Sequence, residues 1–333
     1  MSDHILLTGG AGYIGSHTFV ALAAAGYTPV ILDNFSNAQH AVIDRLENLT
    51  GSPVICHQGD VLDPGALADL FALYPIRAAV HFAAKKAVQE SVEDPLEYYR
   101  TNVGGLVNLL QAMQAANVRT LVFSSSATVY GDPDFSPIPE SAALRPANPY
   151  GHTKLMCEQI LADAAASDPA WAFGVLRYFN PVGAHPSGVI GEDSADRPNN
   201  LMPYIERVAA GILPELQVFG DDYDTPDGTG VRDYIHVSDL AEGHVLSLTE
   251  LLQSRSGHMV NLGTGRGQSV FEVIEAYRQA SGQPIPYRVV DRRPGDVPSY
   301  YADPSKAETL LGFRATCALP EMCATSWNWI RGQ

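Results

Sequence analysis

Tyr150 and Lys154 stand four residues apart in Pro149-Tyr150-Gly151-His152-Thr153-Lys154, directly after Asn148. A helix starting at that Asn-Pro pair turns both side chains to one face, because 3.6 residues make a turn. Upstream, Ser124-Ser125-Ser126-Ala127-Thr128-Val129-Tyr130-Gly131 follows an apolar run that reads as a strand. A phenol, an ammonium and a hydroxyl together suit oxidation of a carbinol, in which hydride leaves carbon while a base takes the hydroxyl proton. Free tyrosine, with a pKa of about 10, is too weakly ionised for this at neutral pH. A nearby ammonium and a cationic redox cofactor favour the phenolate, and a drop of about three units corresponds to ~4 kcal/mol. Ser126 would hydrogen-bond the reacting oxygen and hold it near Tyr150. A surface Tyr and a solvated Lys also fall at helical spacing by accident. The position of this pair, at a helix start and downstream of a serine cluster at a strand end, argues for chemistry.

The redox partner is written at the other end of the chain. Thr8-Gly9-Gly10-Ala11-Gly12-Tyr13-Ile14-Gly15 joins an apolar strand to a helix and spaces Gly9, Gly12 and Gly15 as G-x-x-G-x-x-G. Glycines there permit a tight turn and let backbone approach a pyrophosphate at the helix N-terminus. Three glycines alone are a weak signal; their place at the head of a βαβ unit strengthens it. Asp33 ends the next strand, 18 residues after Gly15. A carboxylate there accepts from the adenosine ribose hydroxyls and repels a 2′-phosphate, which favours NAD over NADP. Asp60 and the run Phe82-Ala83-Ala84-Lys85-Lys86 also fall at strand ends, the edge where doubly wound sheets bind ligands.

The elements that must position these groups follow from apolar runs at 5–7, 29–32, 54–56, 78–81, 121–124 and 173–176, each read as a buried strand. Helix-length segments such as 16–25 and 95–116 lie between them. This alternation predicts an α/β fold: a doubly wound parallel Rossmann sheet over residues 1–179. From 180 onward Pro, Gly, Asn and Asp accumulate, with Pro181, Pro186, Pro198 and the stretch 221–230 as loop chemistry. Helices over 202–210, 238–252, 270–281 and 320–330 and strands over 258–262 and 286–290 predict a smaller mixed α/β lobe, 180–333. Segments near 232–262 are expected to cross back to the first sheet.

Composition narrows the function. A net charge of −16 argues against sequence-independent nucleic-acid binding, which needs Lys and Arg to neutralise phosphate. The four cysteines, Cys56, Cys157, Cys317 and Cys323, form no C-x-x-C pair, and the histidines show no metal-ligand spacing. No metal site, no disulfide framework and no membrane partner are expected, since no apolar run approaches the ~20 residues of a span. The opening residues enter a strand pattern without a basic stretch or cleavage site, so a cytoplasmic protein is expected.

The glycine motif together with Ser126, Tyr150 and Lys154 resembles the extended short-chain dehydrogenase/reductase superfamily. Within it the chain is similar to the UDP-glucose 4-epimerase family through ordered matches at 8–18, 33–34, 81–92, 124–131, 149–156, 177–188, 198–204, 227–240 and 292–300. Sugar-nucleotide dehydratases on this fold place an Asp-Glu pair after the active-site Ser/Thr to eliminate water. Here Ala127-Thr128 follow Ser126, and neither can do that work.

The resemblance implies transient oxidation at carbon 4 by tightly bound NAD, rotation of the 4-keto sugar and re-reduction, interconverting UDP-glucose and UDP-galactose. It implies cofactor contacts from Gly9, Gly12, Tyr13, Ile14, Gly15, Asp33, Asn34, Asp60, Val61, Phe82, Ala83, Ala84, Lys86, Asn102, Ser124, Tyr150, Lys154 and Phe179. Lys86 rather than Lys85 is matched to the cofactor lysine because it precedes Ala87-Val88. For the UDP-sugar it implies Lys86, Ser126, Tyr150, Tyr178, Asn180, Asn200, Leu201, Phe219, Tyr234, Arg232 and Arg293, the arginines on the diphosphate, where a guanidinium fork matches phosphate oxygens. Asp296 would hold ribose hydroxyls or orient Arg293. Tyr300 falls where the family varies its sugar pocket, and its bulk disfavours an N-acetyl group. A homodimer is expected through helices near 95–116 and 149–165.

Overall fold

The computed structural model describes residues 3–193, 200–293 and 295–333. Pro198 and the first two residues of the matched stretch 198–204 lie outside the described residues, as does Pro294. The first half runs β1 (His4–Thr8), α1 (Tyr13–Ala24), β2 (Thr28–Asp33), α2 (Ala41–Thr50), β3 (Ile55–Gln58), α3 (Pro64–Leu73), β4 (Ile76–His81), α4 (Val88–Glu93), α5 (Pro95–Tyr98), α6 (Gly105–Ala115), β5 (Thr120–Ser124), α7 (Pro149–Ser167) and β6 (Ala172–Tyr178). The second continues β7 (Asn180–Val182), α8 (Leu201–Ala209), β8 (Leu216–Phe219), β9 (Val231–His236), α9 (Val237–Ser254), β10 (His258–Leu262), β11 (Gly267–Ser269), α10 (Val270–Ser281), β12 (Tyr287–Val290), β13 (Ser299–Tyr300), α11 (Ser305–Leu311) and α12 (Leu319–Ile330).

Seven parallel strands form the main sheet in the order β10-β6-β5-β4-β1-β2-β3. Successive side chains leave a strand on opposite faces, so near-continuous apolar runs demand cover on both. Ile5, Leu7 and Ile31 pack against Phe19 and Leu22 of α1, Leu46 of α2 and Leu248 of α9. Leu6, Val30 and Leu32 meet Leu67 of α3, Leu109 of α6 and Leu161 of α7 on the other face. The order reverses between β1 and β4, which opens a crevice beyond their C-terminal ends.

The helix predicted over 95–116 is continuous but wound unevenly. A π-helical segment, Tyr99–Gly104, separates α5 from α6. The wide turn carries an extra residue and swings Asn102 inward, where it is 2% exposed. Strand β10 joins β6 as the seventh strand, and α9, which leads into it, packs on α1. In the second lobe β9 pairs with β7, β11 and β13, while β8 pairs with β12. Helices α8, α10 and α12 close a separate apolar core around Ile205, Ile274 and Met322. Pro181, read as loop chemistry, sits inside β7, which tolerates it because β7 has a partner on one side only.

Candidate active site

The turn after β1 leaves no room for side chains. Gly9 has φ +70°, and a Cβ on it would lie 2.7 Å from the Ala83 nitrogen at the end of β4. A Cβ on Gly15 would lie 2.4 Å from the Gly9 carbonyl oxygen. Helix α1 starts here with Gly12 as its N-cap and no side-chain cap, so its first amides face the crevice. Such a cradle at a helix N-terminus suits a pyrophosphate. Asp33 is fixed at the rim: its carboxylate accepts from the Ala11 amide at 3.0 Å and the Phe35 amide at 2.9 Å. Burial raises the Asp33 pKa while these backbone bonds pull it down. Asn34 donates to Asp60 at 2.9 Å, which places a second carboxylate beside the first. This donor and acceptor set fits a dinucleotide with free ribose hydroxyls.

Farther along the same cleft, Asn148 caps α7 by accepting from the Gly151 amide at 2.9 Å, with Pro149 in the first turn. That cap aims Tyr150 and Lys154 at the cleft. Lys154 donates to the Ser124 carbonyl at 2.8 Å, and its ammonium lies 5.9 Å from the centre of the Tyr150 ring. Burial lowers the Lys154 pKa to about 8. Burial also raises Tyr150 well above the ordinary phenol value, Tyr178 adds to the rise, and a hydrogen bond with Ser126 opposes it. Desolvation of the phenolate is thus the largest influence on Tyr150 in this structure. Thr128 donates to the Ser126 oxygen through its amide at 3.2 Å and its hydroxyl at 3.0 Å. With two donors already accepted, the Ser126 hydroxyl is left to donate.

These groups share one cleft of about 420 Å³. Its walls include Gly9, Gly12, Tyr13, Ile14, Gly15, Asp33, Asn34, Asp60, Val61, Phe82, Ala83, Ala84, Lys86, Ser126, Tyr150, Lys154, Tyr178 and Phe179. A second cavity of about 510 Å³ adjoins it through Asn180, Pro181 and Asn200. Leu201, Phe219, Arg232, Tyr234, Arg293 and Asp296 line that one. Asp296 accepts from Arg293 at 3.1 Å, and the Arg293 guanidinium sits 5.1 Å from the Phe219 ring centre. Arg232 donates to the Val297 carbonyl at 2.8 Å and comes within 3.9 Å of Asp296.

Three expected residues are placed elsewhere. Asn102 does not reach the cleft wall; it clamps the Lys85 backbone on both sides and accepts nothing from the cleft, its amide also donating to Thr153. Its neighbour Thr101 faces the cleft instead, because the π-turn rotates the chain by one position. Ser124 works from behind: its carbonyl holds Lys154 and its hydroxyl donates to Tyr178 at 3.0 Å. Tyr300 lines neither cavity; it donates to the Ala127 carbonyl at 2.5 Å and packs on Phe179. Both lysines reach the cleft, Lys85 pairing with Glu90 and Lys86 with Glu192. Thr101, Thr128 and Glu192 are wall residues that sequence reading missed. Thr128 was legible as a hydroxyl two residues after Ser126; Glu192 lies in a loop without periodicity.

The chain belongs to the NAD dependent epimerase/dehydratase family, whose pattern it matches over residues 5–263. Its relatives narrow this class. It is 54% identical over 330 residues to the UDP-glucose 4-epimerase of Dictyostelium discoideum, covering 99% of this chain and 96% of that protein. A crystal structure of UDP-glucose 4-epimerase from Stenotrophomonas maltophila, with bound NAD and formylated UDP-arabinopyranose, superposes with a TM-score of 0.98 at 50% identity, covering 99% and 98% of the two chains. The Bifidobacterium longum enzyme, in complex with NAD+ and UDP, gives 0.93 at 49% identity over 99% and 98%.

Proposed function

We infer that this chain is an isomerase that interconverts UDP-glucose and UDP-galactose at carbon 4, with NAD as its resident cofactor. The observation that carries this reading is the meeting of Ser126, Tyr150 and Lys154 in one cleft with a dinucleotide cradle, a cleft that adjoins an arginine-bearing cavity at Asn180, Pro181 and Asn200, in a chain similar end to end to UDP-glucose 4-epimerases. Residues 1–179 carry the cofactor and 180–333 the UDP-sugar; of the segment 232–262 expected to cross back, α9 and β10 return to the first sheet, while β9 stays in the second lobe's sheet.

The cradle of Gly9, Gly12 and Gly15 receives the pyrophosphate of NAD, with Asp33, Asn34 and Asp60 toward its adenosine end and Lys86 and Phe179 toward its nicotinamide end. When bound, NAD accepts hydride from carbon 4 and gives it back. Tyr150 takes the 4-hydroxyl proton in the oxidation and returns it to the carbonyl oxygen in the reduction, once the rotated 4-keto sugar presents its other face. Ser126 donates to the same oxygen and keeps it within reach of Tyr150. Lys154, held by the Ser124 carbonyl, supplies positive charge beside the phenolate as it forms. Arg232 and Arg293 take the diphosphate, Asp296 orients Arg293, and Phe219 and Tyr234 flank the uracil region. Asn180, Asn200, Leu201 and Tyr178 surround the sugar. Tyr300, braced on Ala127, lines neither cavity and bears on the space for an N-acetyl group only through its packing on Phe179.

Val88, Val92, Leu96 and Met156 are exposed apolar residues on α4, α5 and α7, which supports a homodimer through these helices. Four unpaired cysteines support a reducing cytoplasm. Among the described residues no helix is long and apolar enough to cross a membrane. The test is conversion of UDP-galactose to UDP-glucose by purified protein without added NAD. Conversion, with NAD released on denaturation, supports the reading; no conversion even with NAD supplied rejects it and points to UDP-pentoses or N-acetyl sugars.

A further inference from the structure

Behind the cleft, touching none of it, lies a buried ion pair that the chemistry above does not use. Arg177 of β6 is 1% exposed and Glu158 of α7 is 5% exposed. The pair is bidentate: Nε donates to Oε1 at 2.9 Å and Nη2 to Oε2 at 2.5 Å. Ser125, fully buried, donates to the same Oε1 at 2.6 Å. The remaining Arg177 nitrogen, Nη1, donates to the Tyr130 hydroxyl at 3.1 Å and the Glu140 carbonyl at 3.3 Å. Tyr130 in turn donates to Asn261 of β10 at 2.6 Å, and Asn261 donates to the Ile138 carbonyl at 2.8 Å. Ile138 bridges to Ala302, two residues beyond Tyr300.

Taking two charges out of water costs several kcal/mol per ion, and apolar pairs of similar volume are often as stable or more so. Stability alone is therefore a poor reason for this network. Its geometry offers another. Ser125 precedes Ser126, Glu158 follows Lys154 by one helical turn, and Arg177 precedes Tyr178. Alternation along β6 sends Tyr178 to the cleft and Arg177 away from it. One guanidinium on β6 thus ties together the backs of the two segments whose fronts carry the reacting groups, the serine turn after β5 and α7. Through Tyr130 and Asn261 it also reaches the segment that bears Tyr300.

We propose that Arg177 is a positioning residue for the carbon 4 chemistry, setting the separation of Ser126, Tyr150 and Lys154 through its fork on Glu158 and Ser125. This rests on the epimerase reading. Reacting groups displaced by about 1 Å lose up to about a hundredfold in rate. Three variants, Arg177→Lys, the pair Arg177→Met with Glu158→Leu, and Ser125→Ala, are to be compared with wild type for kcat, KM for UDP-galactose, retained NAD and melting temperature. The pair variant replaces the ions with apolar groups and is expected to stay folded; Ser125→Ala removes a single hydroxyl and serves if it does not. Expected is a kcat lower by about 10- to 100-fold with KM and NAD content near wild type, in variants whose melting temperature is retained. Wild-type kcat in a folded variant, or a loss confined to KM or NAD content, overturns the positioning role. An inactive wild type overturns the epimerase reading itself, a result distinct from either.

Discussion

The two cavities that meet at Asn180, Pro181 and Asn200 are built from different materials. The cofactor cradle is made of backbone: glycines at strand ends, the uncapped start of α1, and an Asp33 whose two oxygens are already fixed by amides. The neighbouring cavity is made of side chains on short strands and loops, with Arg293 over half exposed and held by Asp296 and Phe219. Backbone in a packed sheet cannot shift without disturbing the core, whereas a half-solvated arginine can. The first construction suits a ligand kept through many turnovers, the second one exchanged at each.

Substitutions can break this contrast in order of severity. Tyr150→Phe removes the reacting hydroxyl and leaves the glycine cradle and the arginine cavity intact, so turnover should fall by about 10²- to 10⁴-fold while NAD stays bound. NAD content after gel filtration, measured beside kcat, checks it; unchanged turnover would refute Tyr150 as the base. Gly15→Ala attacks the rigid side, because its Cβ must displace the Gly9 carbonyl. The purified variant should retain little NAD, while UDP binding, followed by calorimetry, persists. On the adaptable side, Arg293→Met should raise KM for UDP-galactose about tenfold, the equivalent of one charged hydrogen bond at the low end, with kcat little changed. A fall in kcat instead would mean that the cavities are less separable than their construction implies.

The mildest test sets the second lobe's core against its own pH. Glu206 of α8 is buried, accepts from Ser326, and its pKa is raised by burial to about 7. A folded pKa above the unfolded value gives stability that is present below about 4.5 and is lost as pH rises through about 7. The melting temperature of the wild type should therefore decline between about pH 4.5 and pH 7, and Glu206→Gln should flatten that decline. A decline of equal slope in both proteins would remove Glu206 as its cause.

The cradle and the Tyr150–Lys154 helix were legible because local rules fix them: glycine spacing, strand ends, an Asn-Pro cap, helical period. Six of the seven main-sheet strands appear as apolar runs before residue 180, and β10 as a later one, although pairing with β6 is a long-range choice that no local pattern states. Asn102, expected at the cofactor from the resemblance, lies in a π-helical turn and holds the Lys85 backbone, while Thr101 lines the cleft. Short strands such as β7, β11 and β13 carry too few residues for alternation to show. The sequence shows the charge of Lys154 one turn from Tyr150 but not the burial of the phenol, and burial is what raises its pKa. The Arg177–Glu158 pair, two ordinary charges 19 residues apart in sequence, becomes visible only once β6 lies against α7.

The late arrival of β10 bears on how the chain comes off the ribosome. Its partner β6 ends at Tyr178, yet β10 begins only at His258, so about 80 residues must be synthesised before that edge is covered. Until then Phe173, Val175 and Leu176 sit in a strand with an unsatisfied ladder on one side, a template for pairing with another nascent chain. Cutting the gene at the lobe boundary would make that exposure permanent. The unit of synthesis that can stand alone is therefore longer than the unit that grips the cofactor.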